Sequence, residues 1–520
     1  MNNNTNTDNS QMETPQKASH RDLIFVILSL VLGFLFCDFI IFGGLGISVP
    51  IFLVISYAVV LCYISKGKIT LNSDAIITAI PVLLISLCFV FYDNQLLRFF
   101  NFNFLIFFSM LNLSYLTGIN EYRFFETGSF WDFMKTFFVF PFANLDKTAK
   151  SISVSTKGSK KSSHVLMVIA GIAVISPVAI IIILLLMSSD AGFQTLISGF
   201  FKNFKDLWAQ NLFKIVIAII LTFPIFSFLY SILNKNHNIK IGKLQISKSI
   251  KIVDSLFVNS ALWVVCMIYV LFMFTQLNYF ISALYNQLPS GLSYSDYARR
   301  GFFELVAVSF INLILIIIAV SFTKQKSDKI KRSSRVTVFA LAFLTILIIC
   351  TAISKMVMYM GFYGLTLLRI YTSWFMVVLF CIFLIICIKT FYKKLKLMRA
   401  TAIITTLLYI VLNFANVDAL IPQYNIYKYN QNPAKGIDIS MFNNLSSSML
   451  PYAKALANDP QFVNDNKNSN EPQILNGEII NNELSILNDL LANRNNELKK
   501  SNWQNFSLAG FEGVNITSKK

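Results

Sequence analysis

The chain has 520 residues, of which 55% are hydrophobic, 50 are Phe and only 13% are charged. Soluble domains carry about 25% charge, so this composition excludes a water-soluble globule, a small disulfide scaffold and a largely disordered chain, and it points to the membrane class. The net charge of +18 imitates a nucleic-acid footprint until it is located: residues 417–520 hold 9 Lys and Arg against 10 Asp and Glu, and the rest of the chain holds 35 against 16. Those bases lie in short loops between apolar runs with no basic-aromatic module, so they report membrane orientation, and no nucleic-acid partner is expected.

Residues 1–22 are polar and Asn/Thr-rich and are expected to be a disordered cytoplasmic N-terminus. The run 23–42 is longer than a signal-peptide core and leads into Gly-Gly-Leu-Gly, not into a small-residue cleavage site, so it reads as a retained first span. About 20 apolar residues cross a bilayer core. By that length the chain has eleven spans: 23–42, 47–64, 75–92, 97–116, 164–187, 212–233, 255–283, 302–322, 336–358, 371–390 and 400–416. The fourth carries the weakest apolar signal, being interrupted by Asn101, Asn103, Asn112 and Ser114. The fold class is therefore all-α, a polytopic transmembrane bundle over 23–416, followed by a small, mostly helical extracytoplasmic domain over 417–520. With the N-terminus inside, the inner segments and span ends hold 27 Lys and Arg and the short outer loops hold 8. That imbalance predicts a multi-pass cell-membrane protein with its N-terminus cytoplasmic and its C-terminus outside.

Between the spans, 193–208 places Phe193, Leu196, Ile197, Phe200, Phe201, Phe204, Leu207 and Trp208 at three- and four-residue steps, the pattern of a helix lying on the outer surface. On the inner side, Ser129 to Asp132 reads as a capping box opening a Phe-rich stretch through Phe140. In the tail, 472–498 has a helical pattern with Leu484, Leu487 and Leu491 on one face and Ile486 and Leu490 beside it. All seven Cys fall in apolar runs without a CxxC, and the three His are far apart. Neither a disulfide framework nor a metal site is expected, and each Cys reads as a small buried hydrophobe.

Ionisable residues in or beside spans are functional candidates, and here they gather toward the outer side: Asp38, Asp93, Arg98, Asp296, Arg299, Arg300, Glu304, Lys355 and Arg369. In the stretch 294–304, Ser293 with Asp296 has the spacing of a helix start. Arg300 and Glu304 then sit one turn apart, with Tyr297 on the same side. Arg299 points elsewhere, toward Asp93 or a ligand anion. Lys355 and Arg369 flank a turn that Gly361 and Gly364 allow between two spans. The expected ligand-binding set is thus Arg299, Arg300, Lys355, Arg369 and Tyr297, with Asp38, Asp93, Asp296 and Glu304 as charge partners or a proton switch. Interfacial anchoring and internal ion pairing are the competing reading of the same residues. No GxSxG, HExxH, Walker A loop or dinucleotide fingerprint is present, and no cofactor is expected. Polyprenyl-phosphate-dependent glycosyltransferases combine many spans with an outer domain, but they need an acid in a sizeable first outer loop. That loop here is only Gly43 to Gly46, with Asp38 the nearest acid.

Three stretches, Tyr294-Ser-Asp-Tyr-Ala-Arg-Arg-Gly-Phe-Phe-Glu-Leu305, Tyr363-Gly-Leu-Thr-Leu-Leu-Arg-Ile-Tyr-Thr-Ser-Trp374 and Asn416-Val-Asp-Ala-Leu followed by Tyr424-Asn-Ile-Tyr-Lys-Tyr429, resemble the bacterial family of domain of unknown function 4173, close to 4153. The resemblance covers roughly residues 160 to 520. It implies a multi-pass protein of the bacterial inner membrane and brings no activity with it. Function is read first as transport or handling of an anionic small molecule or lipid headgroup through an outward-facing cationic vestibule. The alternatives are an envelope sensor or scaffold acting through the outer tail, and a transferase on lipid-linked substrates. The bilayer is the one partner the composition requires.

Overall fold

The computed structural model describes residues 20–64, 69–126, 129–145, 147–148, 151, 182–202, 207–233, 253–284, 302–324, 327–433, 436–467, 474–475, 478–479 and 483–518, with isolated positions between 168 and 180. Each apolar run within them forms a helix. α1 is His20–Phe36, continued by a π-helical turn, Cys37–Ile41. α2 is Ser48–Ile64, α3 Ser73–Phe91 and α4 Gln95–Thr117. A short α5, Ser129–Met134, runs into a second π-helical turn, and α6, Ala191–Lys202, precedes α7, Leu207–Leu233. α8 is Ser255–Leu284, α9 Phe302–Phe322, α10 Asp328–Tyr363, α11 Leu367–Phe391 and α12 Leu397–Phe414. Among the described residues eight helices are long and apolar enough to cross a membrane, and shorter apolar stretches lie at Ser48–Leu61 and Glu304–Val320. The predicted span 164–187 falls mainly outside the described residues, with 182–189 helical. The predicted disorder of the N-terminus falls outside them too, up to residue 19.

The helices assemble as two packed groups joined by α12. In the first, α1 lies along α7 and α3 lies on α2 and α4. Its core holds Phe25, Leu32, Phe226 and Ile232. In the second, α10 is central, packed on α8, α9 and α11 around Leu341, Ala342, Ile349 and Phe383. α12 packs on α11 and on α3 and so bridges the groups. Cys37, Cys88, Cys266 and Cys387 are buried as hydrophobes. Two-residue strands are the only extended pairings among the described residues. β1, Val253–Asp254, pairs in parallel with β2, Thr323–Lys324, and β3, Ile474–Leu475, pairs antiparallel with β4, Glu478–Ile479.

Hydrocarbon offers no hydrogen bonds, so polar side chains on spans must find one another across helices. This explains α4. The residues that weaken its apolar signal are its joints. Asn112 donates to the Ala75 carbonyl at 2.7 Å and to Thr78 Oγ1 at 2.9 Å, and it accepts from the Tyr57 hydroxyl at 3.0 Å. Asn101 donates to Asn413 Oδ1 and accepts from the Tyr409 hydroxyl, each at 2.6 Å. One helix is thereby bonded to α2, α3 and α12. Asn312 of α9 does the same in the second group, accepting from Tyr269 at 2.7 Å and donating to Thr345 Oγ1 at 2.9 Å.

After α12 the tail forms α13, Val417–Gln431; α14, Leu450–Ala457; α15, Pro460–Lys467; α16, Glu483–Lys500; and α17, Leu508–Ser518. Its core around Phe442, Leu450, Phe462 and Leu487 is continuous with Leu412 of α12 and with partly buried Leu97 and Trp374 of the bundle. Within the helical pattern expected at 472–498 the structure describes the helix Glu483–Lys500, with β3 and β4 pairing at 474–475 and 478–479. Leu484, Leu487, Leu490 and Leu491 face the core as expected, whereas Ile486 is exposed. The expected capping box at Ser129 does not form. The Asp132 carboxylate instead accepts from the Tyr122 amide at 2.9 Å, and the Ser129 hydroxyl donates to the Glu126 carbonyl. Ahead of α6, Asp190 accepts from the Phe193 amide at 2.5 Å and caps the segment predicted to lie on the surface, where Leu196 is 73% exposed.

Replacing Asn112 by Ala strands the Tyr57 hydroxyl in the interior and removes the cross-helix bonds to Ala75 and Thr78. The expected cost is about 1–2 kcal/mol, read as a lowered midpoint in thermal melts of the detergent-solubilised protein. Asn103→Ala serves as the control, because Asn103 bonds only to the Phe99 carbonyl of its own helix.

Candidate functional site where the tail caps the bundle

Three inter-helix turns receive the tail, and alternation of the spans puts all three at the same end of the bundle. The first is the loop after α1. The Ile47 amide donates to the Phe506 carbonyl at 3.0 Å, and a Cβ on Gly46 would stand 2.4 Å from the carbonyl carbon of Asn505. Only glycine admits the tail backbone so closely. The second turn, Tyr92 to Asn94, links α3 to α4. Asp93 accepts from the Ser447 amide at 3.1 Å and from its hydroxyl, while Asn94 donates to Asp418 Oδ2 at 2.8 Å and to the Tyr371 hydroxyl at 3.2 Å. Asn94 also caps α4 by accepting from the Leu97 amide at 2.9 Å. The third is the turn between α10 and α11, where the Asn425 amide brackets Leu365, accepting from its N–H at 2.8 Å and donating to its carbonyl at 2.9 Å. Gly364 has φ +81°, and a Cβ there would meet Asn425 Oδ1 at 2.5 Å.

These contacts leave a cavity of about 560 Å³ between the bundle and the tail, walled by Gly44 and Leu45, by Asp93, Gln95 and Arg98, and by residues of α16 and α17. Arg98 is its buried charge, 7% exposed. The guanidinium donates from Nε to the Tyr92 carbonyl at 3.1 Å and from one terminal nitrogen to Asn505 Oδ1 at 2.8 Å. Its other terminal nitrogen is buried with no partner among the described residues. Across the cavity, Arg494 pairs with Glu497 at 3.2 Å and donates to the Leu445 carbonyl, and exposed Lys499 completes the lining charges. Asp93 is held by Ser447, so three cations face two acids whose bonds are already assigned.

The structure treats the residues singled out in the sequence unequally. Asp296, Tyr297, Arg299 and Arg300 lie outside the described residues. Asp38 accepts from Lys214 of α7 at 2.7 Å, a partner that the sequence pattern does not indicate. Asp93 lines the cavity, and Glu304 opens α9 from an exposed position. Lys355 is buried in the second group and donates to Gln276 Oε1 at 3.0 Å. Arg369 donates to the carbonyls of Tyr363 and Gly364, at 3.2 and 2.8 Å, and its guanidinium lies 4.3 Å from the Tyr359 ring centroid. Arg369 therefore secures its own turn. Of the expected set among the described residues, Asp93 alone lines the cavity. The residue best placed to meet an anion is Arg98, and its signal in the sequence is an arginine one turn inside a predicted span, three residues after Asp93-Asn94-Gln95.

At the opposite end of the bundle the pairs are separate from these: Arg399 with Asp74 at 3.1 Å, Lys396 with Glu126 at 2.5 Å and Lys135 with Glu121 at 3.1 Å.

Asp418 titrates under the tail. Burial pushes its carboxyl above the ordinary value of 3.8, opposed by the nearby Ser446 and by the hydrogen bond from Asn94 and reinforced by nearby Asp93. The folded protein then binds more protons than the unfolded chain, so stability is full below 3.8 and falls as pH rises from there through the raised value. Thermal melts across the acid range are expected to show that decline in the wild type and to lose this contribution in Asp418→Asn.

A family model described as domain of unknown function DUF4153 matches residues 79–456. The match names 4153, the neighbour of the 4173 family that the three stretches resemble. No curated protein and no solved structure matches the chain.

Proposed function

The chain belongs to the DUF4153 family and is a multi-pass membrane protein, and from this premise we propose that it binds an anionic small molecule or lipid headgroup in the cavity under its tail, for transport or handling at the outer face of a bacterial inner membrane. The single observation that carries the reading is Arg98. A buried guanidinium with an unanswered N–H, beside a cavity large enough for a metabolite-sized ligand, is a built receptor for a carboxylate or phosphate. The orientation, with the N-terminus cytoplasmic and the tail outside, rests on the excess of Lys and Arg at the end opposite the tail. The cation set is revised in this reading. Arg98 binds, Arg494 and Lys499 line the far wall, and Arg369 and Lys355 brace helices.

Native mass spectrometry of the purified protein beside Arg98→Gln and Arg98→Lys tests this. The wild type is expected to retain an anionic molecule. Arg98→Gln is expected to lose it by about 1.5–3 kcal/mol, tenfold or more in occupancy. Arg98→Lys keeps the charge without the fork and should fall between. Equal retention by all three proteins would end the reading.

A second reading, an envelope sensor, is favoured by the docking itself, since Asn505 shares Arg98 with any occupant and belongs to the tail. Under that reading Arg98→Gln raises hydrogen exchange across 483–518. Under the carrier reading, exchange there stays at the wild-type level.

A further inference from the structure

A groove of about 1700 Å³ runs beside α12, between the two helix groups. It does not involve Arg98, and an occupant of it is independent of the proposed function. One wall is aromatic: Phe104 and Phe108 of α4 are stacked with centroids 4.0 Å apart, and Tyr409 lies 5.3 Å from Phe104. The facing wall is aliphatic, with Ile316 and Ile317 of α9 and Ile386 of α11. Along α11 the lining runs from Trp374 to Lys389, about 22 Å at 1.5 Å per residue. That is longer than one leaflet, about half of a 30 Å core.

The groove is not apolar to both ends. At the end away from the tail its lining is cationic, with Arg335, Lys389, Lys393, Lys394 and Lys396 against a single acid, Glu126. Glu126 is already committed to Lys396, and that hydrogen bond holds its carboxyl below the ordinary carboxylate range. The rim is braced, because Lys389 donates to the Lys393 carbonyl at 2.7 Å and to the Leu395 carbonyl, fixing the turn that carries Lys393 and Lys394. Both of those lysines are exposed. A long hydrocarbon slot ending in two available ammonium groups is complementary to a molecule with a chain at one end and negative charge at the other.

We propose that this groove is a binding site for an anionic phospholipid, its phosphate head on Lys393 and Lys394 and its chain along the Phe104–Phe108 wall. Bulk lipid would wet any crevice at this depth, so the distinguishing property is selection for a negative head at this rim and not merely at this face of the membrane. α10 supplies the control: Lys329 and Arg332 are exposed near the same end and do not line the groove.

The full-length protein would be reconstituted in nanodiscs of equal parts phosphatidylcholine and phosphatidylglycerol, extracted, and its retained lipid counted by native mass spectrometry. The wild type is expected to hold phosphatidylglycerol in preference to phosphatidylcholine. The double variant Lys393→Gln with Lys394→Gln is expected to lose that preference by about fivefold per charge, and Lys329→Gln with Arg332→Gln is expected to keep it. Ala402→Phe, which fills the groove from α12, is expected to lower retained phosphatidylglycerol with the rim intact, with a thermal melt checking that it folds. Equal losses in both charge variants, or equal retention of the two lipids by the wild type, would overturn the proposal. Displacement of the lipid by inorganic phosphate, with no effect of Ala402→Phe in a folded protein, would place binding on the rim alone and overturn the groove.

Discussion

A carboxamide inside hydrocarbon must be answered by another helix, and this protein is arranged around a few such answers. Asn112 is fully buried and spends both ends of its side chain on α2 and α3, while Asn101 reaches α12 through Tyr409 and Asn413. Apolar packing alone discriminates weakly in lipid, where the competing surroundings are equally apolar, so these bonds fix which helices are neighbours and in what register. The second group uses the same chemistry through Tyr269, Asn312 and Thr345. Along the chain the order is Tyr, Thr, Asn in the first group and Tyr, Asn, Thr in the second. The likeness is therefore one of physical solution, since a copied unit would preserve the order.

The same logic, moved to the water-facing end, docks the tail. There the partners are turn residues and the carboxylates Asp93 and Asp418, and glycine permits the closest approach. Two of the three stretches that carry the family resemblance meet at these joints. Tyr371 and Asp418 converge on Asn94, and Asn425 brackets Leu365. The family match, residues 79–456, includes Asn94, Arg98, Asp418 and Asn425 but ends before α16 and α17. Asp93, Gln95 and Arg98 of the cavity wall thus lie within the matched region, while Arg494 and Asn505 on its far wall lie beyond it.

Span positions are legible in the sequence because a helix in lipid must be apolar along its whole length. The run 255–283 is realised as Ser255–Leu284, and 302–322 as Phe302–Phe322. Where the apolar signal weakens, at α4, the cause is physical: hydropathy counts an asparagine as a defect and cannot register the Tyr and Thr that answer it from 34 or 55 residues away. The site is less legible for a related reason. Composition locates charge at the span ends but cannot say which charges cancel. Asp38 has no partner nearby in sequence and is paired with Lys214 in the fold. Arg369 has the position of a ligand group and is spent on two carbonyls and a tyrosine face. Local patterns mislead as well: Ser129 and Asp132 have capping-box spacing, yet the Tyr122 amide is closer to hand.

Among the described residues Arg98 is the cation left incompletely satisfied, alongside the uncharged or acidic groups of Thr136, Asp418, Ser446, Ser448 and Asn495. Burying a guanidinium desolvates a charge at considerable cost, and an aliphatic residue at the same place would fill the end of α4 with none. Tyr92 and Asn505 answer two of its donors and orient the fork, but among the described residues one buried nitrogen is left over, and an unanswered buried donor costs about 1–3 kcal/mol. Several weaker donors in the bundle are matched, Thr78, Tyr57, Tyr269 and Thr345 among them, although the Thr136 hydroxyl is not. The open valence at Arg98 stands beside the cavity of this end, and a ligand oxygen would complete the set. Had the arginine served only to hold the tail, the amide of Asn505 could have been met by a neutral side chain. A charged group, buried and two-thirds satisfied, is better accounted for by an anion that comes and goes.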